Sequence, residues 1–386
     1  MIEIRKIDAA HNADANIPNE PFALTGRMVP ALAGGVWSYT IEPFDPPLMD
    51  LFPDYPYDVA AETGGDAADG RTVFFGAYDG EVCVGLAVLR EAMFRYLYLD
   101  DLKVSQACRG QGIGGRLIEA CVKEAARRGR QGVYTIAQDN NLQACRFYLH
   151  HGFELGGFNN RDYRGTVQES KADLYFYRDV VCVSVAAMRE ADRRTIDGGV
   201  PSVELMRRAA QGVFDAYPEW SGGRTLIVCG SGNNGGDGYA LAEIMQGHGF
   251  DVTLLRVSEK FSADGQYYYD RCIEKGVPCL LYGKDPVDFN EYGTLVDCML
   301  GTGFQSVPKE PVASVIREIN KARGEHGAYV IAVDINSGMN GDTGEGQLAV
   351  VSDLTVSIGY YKTGMFRGRA GELIKDMTNV DIGIRL

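Results

Sequence analysis

Residues 228–245 read VCGSGNNGGDGYALAEIM. Gly230-x-Gly232-x-x-Gly235 is a spacing that lets backbone amides approach a pyrophosphate at the mouth of a helix. Two asparagines, Asn233 and Asn234, a further glycine, Gly236, and Asp237 are packed into the same turn. That is more polar chemistry than a resident cofactor's pyrophosphate needs. Two later stretches, VDCMLGTGF (296–304) and VDINSGMNGDTGE (333–345), repeat the theme. Each sets an aspartate, Asp297 or Asp334, on or just past a predicted strand and ahead of a glycine-rich turn. In an open parallel sheet such loops project from the carboxyl edge, where ligands bind. Three of them make one site, with carboxylates that can act as acid and then as base. Both aspartates could also serve only as caps for the following turns. A nicotinamide dehydrogenase would need an acidic residue about 20 positions on. Glu259, with Arg256 before it, is available, but that reading leaves the other two loops unexplained.

A second constellation precedes this one. RGQGIGGRL opens a helix directly after a strand. Arg109, Gly110, Gln111, Gly112, Ile113 and Gly114 form a turn bare enough for consecutive N–H groups to face a phosphate, reinforced by the helix N-terminus. The same turn could simply cap a helix. It is followed by QDNNLQACRFYLHHGFE, with Asn141 and Tyr148, and preceded by RYLYLDDLKV, with Asp100 and Asp101. Strand alternation predicts that only one of those two aspartates points into a site.

The elements that must hold these groups fall into two sets. RTVFFGAYDG and EVCVGLAVLREA are β-rich runs joined at Asp79-Gly80, and RYLYLDDLKV is a third strand. A helix over 114–129 presents Leu117, Ile118, Cys121, Val122 and Ala125 on one face. A strand (GVYTIAQ), a helix (NLQACRFYLHHG) and a strand pair near FELGGF and ADLYFYRDV follow. Residues 43–70, rich in Pro, Asp and Gly, read as a long surface loop with room for a short helix. Around residue 180 the grammar changes. Two amphipathic helices, the second opened by Pro201, lead into short apolar strands alternating with helices, the first of these helices starting at Tyr239. That alternation predicts a parallel, doubly wound α/β sheet. The expected domains are 1–179 and 180–386, with almost no linker.

Composition bounds the partners. A net charge of −14 over 386 residues argues against nucleic acid or an anionic membrane surface, and leaves room for a cationic substrate. No signal peptide or membrane span is evident, so the expected location is cytoplasmic. The nine cysteines include no CxxC pair, which predicts neither a zinc site nor a disulfide framework.

The strand–Arg109-x-x-Gly112-x-Gly114–helix unit and the Asn141/Tyr148 segment resemble the GNAT acetyltransferases, an α+β fold with a mixed, mostly antiparallel sheet. IPNEPFALTGRMVP, RYLYLDDLKV, RGQGIGGRLIE and QDNNLQACRFYLHHGFELGG extend that resemblance to the streptothricin acetyltransferases over nearly all of 1–179. It implies that the glycine turn holds the pyrophosphate of acetyl-CoA and that Asn141 lies beside its pantetheine arm. Tyr148 would protonate the leaving thiolate, and a backbone N–H near Lys103 or Val104 would hold the thioester oxygen. Asp100 or Asp101 would be the base for an attacking amine. The acidic 50–69 loop (Asp50, Asp54, Asp58, Glu62, Asp66, Asp69) would steer a polycationic acceptor, which could be a streptothricin, a protein lysine or a polyamine.

The three glycine loops, with the leading VAAMREADRRTIDGGVPSVELM and the closing GYYKTGMFRGRAGELIKDMTNVDIGI, resemble the NAD(P)HX epimerases. These form the YjeF N-terminal domain family, Rossmann-like and αβα, and the match runs over about 181–386. By that resemblance Asn233, Asn234, Gly235, Gly236 and Asp237 bind the hydrated cofactor. Gly301, Thr302, Gly303, Phe304, Gln305, Ser306 and Val307 surround its phosphates. A potassium ion is held by Asn234, Asp297 and Ser337. Asp297 is the expected proton-transfer group, with Asp334 orienting the substrate. Asn336 stands where the family has proline, and Arg207 and Arg208 stand in a helix that usually carries Glu and Asn. The ADP- or ATP-dependent dehydratase of the pathway is expected as a separate protein, and a homodimer is left open. A catalytically silent ligand sensor is the alternative for this half.

Overall fold

A computed structural model describes residues 2–64, 72–92 and 95–386. Its contacts divide the chain into two compact units, Met1–Ala126 with Arg130–Val180 and Val181–Leu386 with Arg127–Gly129. Among the described residues no helix is long and apolar enough to cross a membrane.

The first unit comprises β1 (Glu3–Lys6), β2 (Phe22–Ala33), β3 (Val36–Asp50), α1 (Val59–Thr63), β4 (Thr72–Asp79), β5 (Val82–Arg90) and β6 (Tyr96–Val104). Then come α2 (Ile113–Arg127), β7 (Gly132–Gln138), α3 (Leu142–His150), β8 (Glu154–Asn159) and β9 (Asp173–Asp179). Seven strands form one sheet in the order β1-β4-β5-β6-β7-β9-β8. Only β6 and β7 run parallel, as a mixed, mostly antiparallel sheet requires. The β4–β5 turn is Gly80-Glu81, one residue later than Asp79-Gly80, since Asp79 pairs with Val82, and Gly80 takes φ +60° in it. Leu117, Ile118, Cys121 and Ala125 of α2 are buried against the sheet.

The expected 43–70 loop is corrected at its start. Residues 43–50 complete β3, which pairs with β2 in a separate two-stranded ribbon. Pro43, Pro46 and Pro47 lack the N–H that a central strand needs, yet β3 has a partner on one side only. The loop does carry a short helix, α1, begun by the Asp58 side chain accepting from Ala61 N–H.

The second unit comprises β10 (Cys182–Val183), α4 (Val185–Asp197), α5 (Ser202–Ala216), β11 (Thr225–Cys229), α6 (Asn233–Gly247), β12 (Val252–Arg256), α7 (Ala263–Glu274) and β13 (Cys279–Leu281). Then follow β14 (Thr294–Cys298), α8 (Val312–His326), β15 (Tyr329–Val333), β16 (Leu354–Ile358), β17 (Tyr361–Lys362), α9 (Ala370–Leu373) and β18 (Met377–Val380). Its seven-stranded sheet, ordered β13-β12-β11-β14-β15-β16-β18, is parallel throughout. Apolar clusters cover both faces, one involving α4–α7 and the other α8. The strand order reverses between β11 and β14, so a crevice opens at their carboxyl ends.

The helix after β11 begins at Asn233, not Tyr239. The glycines that hide its start serve close packing. A Cβ on Gly235 would overlap the Gly230 carbonyl oxygen, and one on Gly236 would lie 2.5 Å from Met206 Cε. Arg207 and Arg208 on α5 pair with Glu204 at 2.8 and 2.9 Å, a local arrangement on the helix surface.

Candidate active sites

In the first unit a cavity of about 1270 Å³ is bordered by the 109–114 turn, by β6 and by α3. β6 and β7 pair only over Tyr96–Tyr98 and Gly132–Tyr134, then splay. Thr135 Oγ1 donates to the Leu99 carbonyl at 2.9 Å just past the fork. Ser105 N–H donates to Val84 O at 2.9 Å on the β5 side. Antiparallel alternation therefore turns the Lys103 amide toward β5 and those of Leu102 and Val104 toward the cleft.

Asp100 and Asp101 both line the cavity, against the expectation of one. The cause is a β-bulge: Val88 faces Asp101 and Leu89 faces Leu99, leaving Asp100 as the extra residue. A bulge breaks the alternation of side chains and re-aims them. Asp100 takes a hydrogen bond from Arg90 Nε at 2.6 Å. Asp101 accepts from Tyr57 Oη at 3.2 Å and pairs with Lys103 Nζ at 3.1 Å.

Tyr148 also lines the cavity and is 9% exposed. Burial pushes its phenol up to about 12, against a lowering by the Thr135 hydroxyl, with the charge of Asp101 adding to the rise. Asn141 borders the cavity while its side-chain oxygen caps α3, accepting from Ala144 N–H at 3.1 Å.

In the glycine turn, Gly110 and Gly112 have φ of +77° and +75°, conformations that L side chains resist. Arg109 is turned back on its own loop, donating to Val104 O and to Glu20, each at 2.9 Å. Gly114 is bare so that the Phe147 ring can pass, since a Cβ would sit 2.8 Å from it. Ile113 is a core residue and Gln111 is exposed.

The acidic loop holds its charges locally. Asp50 pairs with Lys171 at 3.1 Å and Glu62 with Arg90 at 2.8 Å. Asp54 accepts from Asn19 N–H at 2.6 Å, and Asp58 caps α1. Those four have structural partners; Asp66 and Asp69 lie outside the described residues.

In the second unit Asn234, Asp297 and Ser337 meet around Leu300. Ser337 Oγ donates to Asp297 Oδ1 at 2.6 Å and accepts from Leu300 N–H at 2.8 Å. Asp297 also accepts from Ser337 N–H at 2.7 Å and Met299 N–H at 3.1 Å. Asp297 is fully buried, and burial pushes its carboxyl up to about 6 while these donors pull it down. Asn234 Nδ2 donates to Leu300 O at 3.1 Å, but its buried Oδ1 has no partner. An orphaned amide oxygen, with a hydroxyl on the same Leu300 backbone and a carboxylate bonded to that hydroxyl, supplies the oxygen ligands a hard cation takes. Among the described residues no group of three or more His, Cys, Asp or Glu is placed to hold a metal ion.

Asp334 closes β15 with φ +65°, the one positive value on a non-glycine among the described residues. Its Oδ1 accepts from Ile358 N–H at 3.1 Å and from the Lys362 ammonium. Lys362 is fully buried and also donates to Ser357 Oγ at 3.2 Å and Ile358 O at 2.9 Å. Asp192 on α4 and Asp237 on α6 belong to the same charge cluster. Burial, then the Asp334 charge, pushes Asp192 up to about 6, opposed by Lys362. Burial, then Asp334 and Asp192, holds Asp237 well above the usual carboxylate range. Neither Lys362 nor Asp192 is singled out by a sequence motif. The available signal was a lone lysine in an apolar stretch, since a buried ammonium needs an anionic partner.

Phe304, Gln305, Ser306 and Val307 border a cavity of about 410 Å³ facing Gly338 and Asn340. Gly301 approaches Asn234: a Cβ there would lie 3.3 Å from that of Asn234. Thr302 packs beside Gly341, and Gly303 lies under Arg189. Asn233 is exposed at the first position of α6. Asn336 is buried, donating to Val350 O, Ser352 Oγ and Leu373 O at 2.9–3.1 Å and accepting from Thr355 at 2.7 Å. It thus ties together segments that a proline could not.

Two family models match separate stretches of the chain. Residues 202–364 match the YjeF-related protein N-terminus family, and 36–153 match the Acetyltransferase (GNAT) family. The NAD(P)H-hydrate epimerase of Limosilactobacillus fermentum is 35% identical over 191 residues, 47% of this chain and 88% of that protein. The bifunctional NAD(P)H-hydrate repair enzyme of Coxiella burnetii is 35% identical over 198 residues, 49% of this chain and 39% of that protein. Streptothricin acetyltransferase A of Bacillus subtilis is 31% identical over 175 residues, 45% of this chain and 98% of that protein.

Proposed function

Because the chain belongs to the NAD(P)H-hydrate epimerases through its second unit and to the GNAT streptothricin acetyltransferases through its first, we propose that it runs both reactions. The second unit interconverts the R and S forms of NADHX and NADPHX. The observation that carries this is Asp334, held in a left-handed conformation and paired with buried Lys362, within reach of the charges of Asp192 and Asp237.

The substrate's hydroxyl sits on a ring carbon next to nitrogen. A protonated carboxyl, Asp237 or Asp192, gives its proton to the leaving hydroxyl. The C–O bond breaks, and water and an iminium ring result. Water then adds to the other face and loses a proton to a carboxylate. Groups whose environments push their proton affinities apart suit that exchange. Asp297, expected as the proton carrier, is enclosed by three donors, and we assign it with Asn234 and Ser337 to the potassium ion. Bound there, the ion would supply fixed positive charge beside the Gly301 turn.

The first unit transfers acetyl from acetyl-CoA to an amine. Asp101, on the cavity wall and held by Tyr57 Oη at 3.2 Å, takes the amine's proton. The amine attacks the thioester carbon, whose oxygen is held by the Val104 or Leu102 N–H. The C–S bond breaks and Tyr148 protonates the sulfur. Asp100, beside Arg90, helps make the cavity suit a cationic acceptor.

The first test mixes R and S NADHX with an S-specific dehydratase and its nucleotide, and follows NADH absorbance. Recovery of the R half on adding this chain supports the epimerase. Persistence of that half at its spontaneous rate overturns it and leaves a binding module. Release of free CoA thiol with streptothricin, a polyamine or a lysine peptide tests the acetyl acceptor.

A further inference from the structure

The helix that brings Asp192 to the carboxylate cluster carries another charged group one turn earlier. The start of α4 is fixed from two sides. Ser184 caps it through Ala187 N–H at 3.1 Å, and Asp342 Oδ1 accepts from Val185 N–H at 2.8 Å. A Cβ on Gly341 would lie 2.6 Å from Val185 Cγ2, so the first turn sits directly on the 338–347 loop. Thus anchored, α4 lays the guanidinium of Arg189 over Gly303, with Nη2 3.2 Å from where a Cβ would stand.

Arg189 differs from the other arginines of its helix. Arg193 pairs with Glu190 and Asp197 at 2.6 and 2.8 Å, and Arg194 approaches Glu190 at 3.9 Å. Arg189 has no ion-pair partner among the described residues, and it faces a turn closed by Phe304 N–H donating to Gly301 O at 3.1 Å. Arg189 and Asp192 are three residues apart, so they share a side of α4 and stand about 5 Å apart along its axis. One ribose separates a nicotinamide ring from its nearest phosphate, so two groups on one side of a helix can meet the two ends of that unit. A guanidinium offers parallel donors matched to phosphate oxygens, and it cannot lose its charge at working pH.

We propose that Arg189 anchors the substrate through the phosphate on its nicotinamide side, with α4 spanning from that phosphate to the reacting ring. The proposal rests on the epimerase reading of the same site and adds which group meets the substrate's charge.

The test uses the full chain and follows interconversion of separated epimers by chromatography. Four substrates are compared: NADHX, NADPHX, the corresponding mononucleotide hydrate, and the riboside hydrate with no phosphate. Arg189→Gln should raise KM about 10- to 100-fold for the three phosphorylated substrates and change kcat less than about threefold. Arg189→Lys should recover part of the loss, and the riboside should be insensitive. Unchanged KM values overturn the proposal. A rise confined to NADPHX also overturns it, since the group met would be the 2′-phosphate. An equal loss with the riboside would make Arg189 structural, which again overturns it. An unmutated chain inactive on all four substrates removes the epimerase reading itself, an outcome separate from those of the variants.

Discussion

Asp334 concentrates the costs of the epimerase site: a left-handed backbone on a residue with a Cβ, and a carboxylate facing a fully buried ammonium. Asn tolerates the same backbone region, so Asp334→Asn keeps the turn while deleting the charge. Epimerisation should fall about 10²- to 10⁴-fold, and the melting temperature should fall too because Lys362 loses its anionic partner. Asp192 has the opposite signature. Its carboxyl is raised from 3.8 to about 6, so between those values the folded chain keeps a proton that the unfolded chain releases. Its contribution to stability therefore declines as pH rises through that window and is flat above it. Asp192→Asn should make the decline shallower without abolishing it, since Asp297 and Asp237 are raised as well. Urea unfolding at about pH 4.5 and pH 7 reads the difference, and the acid limb of the epimerisation profile should also change. In the other unit, Tyr148→Phe should lower kcat for acetyl transfer about 10²-fold with little change in KM for acetyl-CoA. A phenol raised to about 12 stays protonated through the neutral range and so remains a donor.

At the scale of elements, close approach decides more than turn chemistry. Gly235 in α6 passes so near the end of β11 that any Cβ would overlap the Gly230 carbonyl. Gly235→Ala must therefore shift the first turn of α6, and with it Asn234 at the proposed ion site. Epimerase activity should drop more than tenfold with a stability loss of about 1–3 kcal/mol, while acetyl transfer continues. Thermal unfolding and both assays on the same preparation check this. The same glycines explain why the start of α6 was not legible: a run of Gly and Asn reads as a loop because its packing partners lie far away in sequence. The parallel strands were legible, since β11, β14 and β15 are short, mostly apolar runs buried along nearly their whole length, with Asp297 of β14 the one charge among them. The β2–β3 ribbon was not, because three prolines argue against a strand unless its one-sided pairing is known. The Asp100 bulge escaped for a related reason. Alternation can be read from one strand, but an extra residue is defined only by its partner. That the three glycine loops form one site was legible from their spacing, and the set Asn234, Asp297 and Ser337 only through the family resemblance, whereas Lys362 needed its burial to be seen.

At the scale of the whole molecule, one net charge of −14 would act in opposite directions on the substrates proposed for the two units. NAD(P)HX and acetyl-CoA are anions that the long-range field repels, so each depends on local positive groups: helix N-termini, backbone amides and, in the second unit, Arg189. An amine acceptor is a cation that the same field attracts, while inside the cavity Asp100 and Asp101 are already paired with Arg90 and Lys103 and add little to that long-range pull. Screening separates these contributions, because the Debye length shrinks from about 30 Å at 0.01 M salt to about 8 Å at 0.15 M. Raising the ionic strength across that range should lower kcat/KM for a polycationic acceptor several-fold through its encounter rate. Over the same range kcat/KM for NADHX should hold or rise. Because the described acidic residues of the 50–69 loop are held in local contacts, Asp54→Asn should leave the salt slope for the acceptor nearly intact. Asp101→Asn should lower kcat far more than it changes that slope, since one charge is a small part of the field but is the base for the reaction. A slope that is flat for every acceptor would place recognition wholly within the cavity and remove steering by the chain's charge.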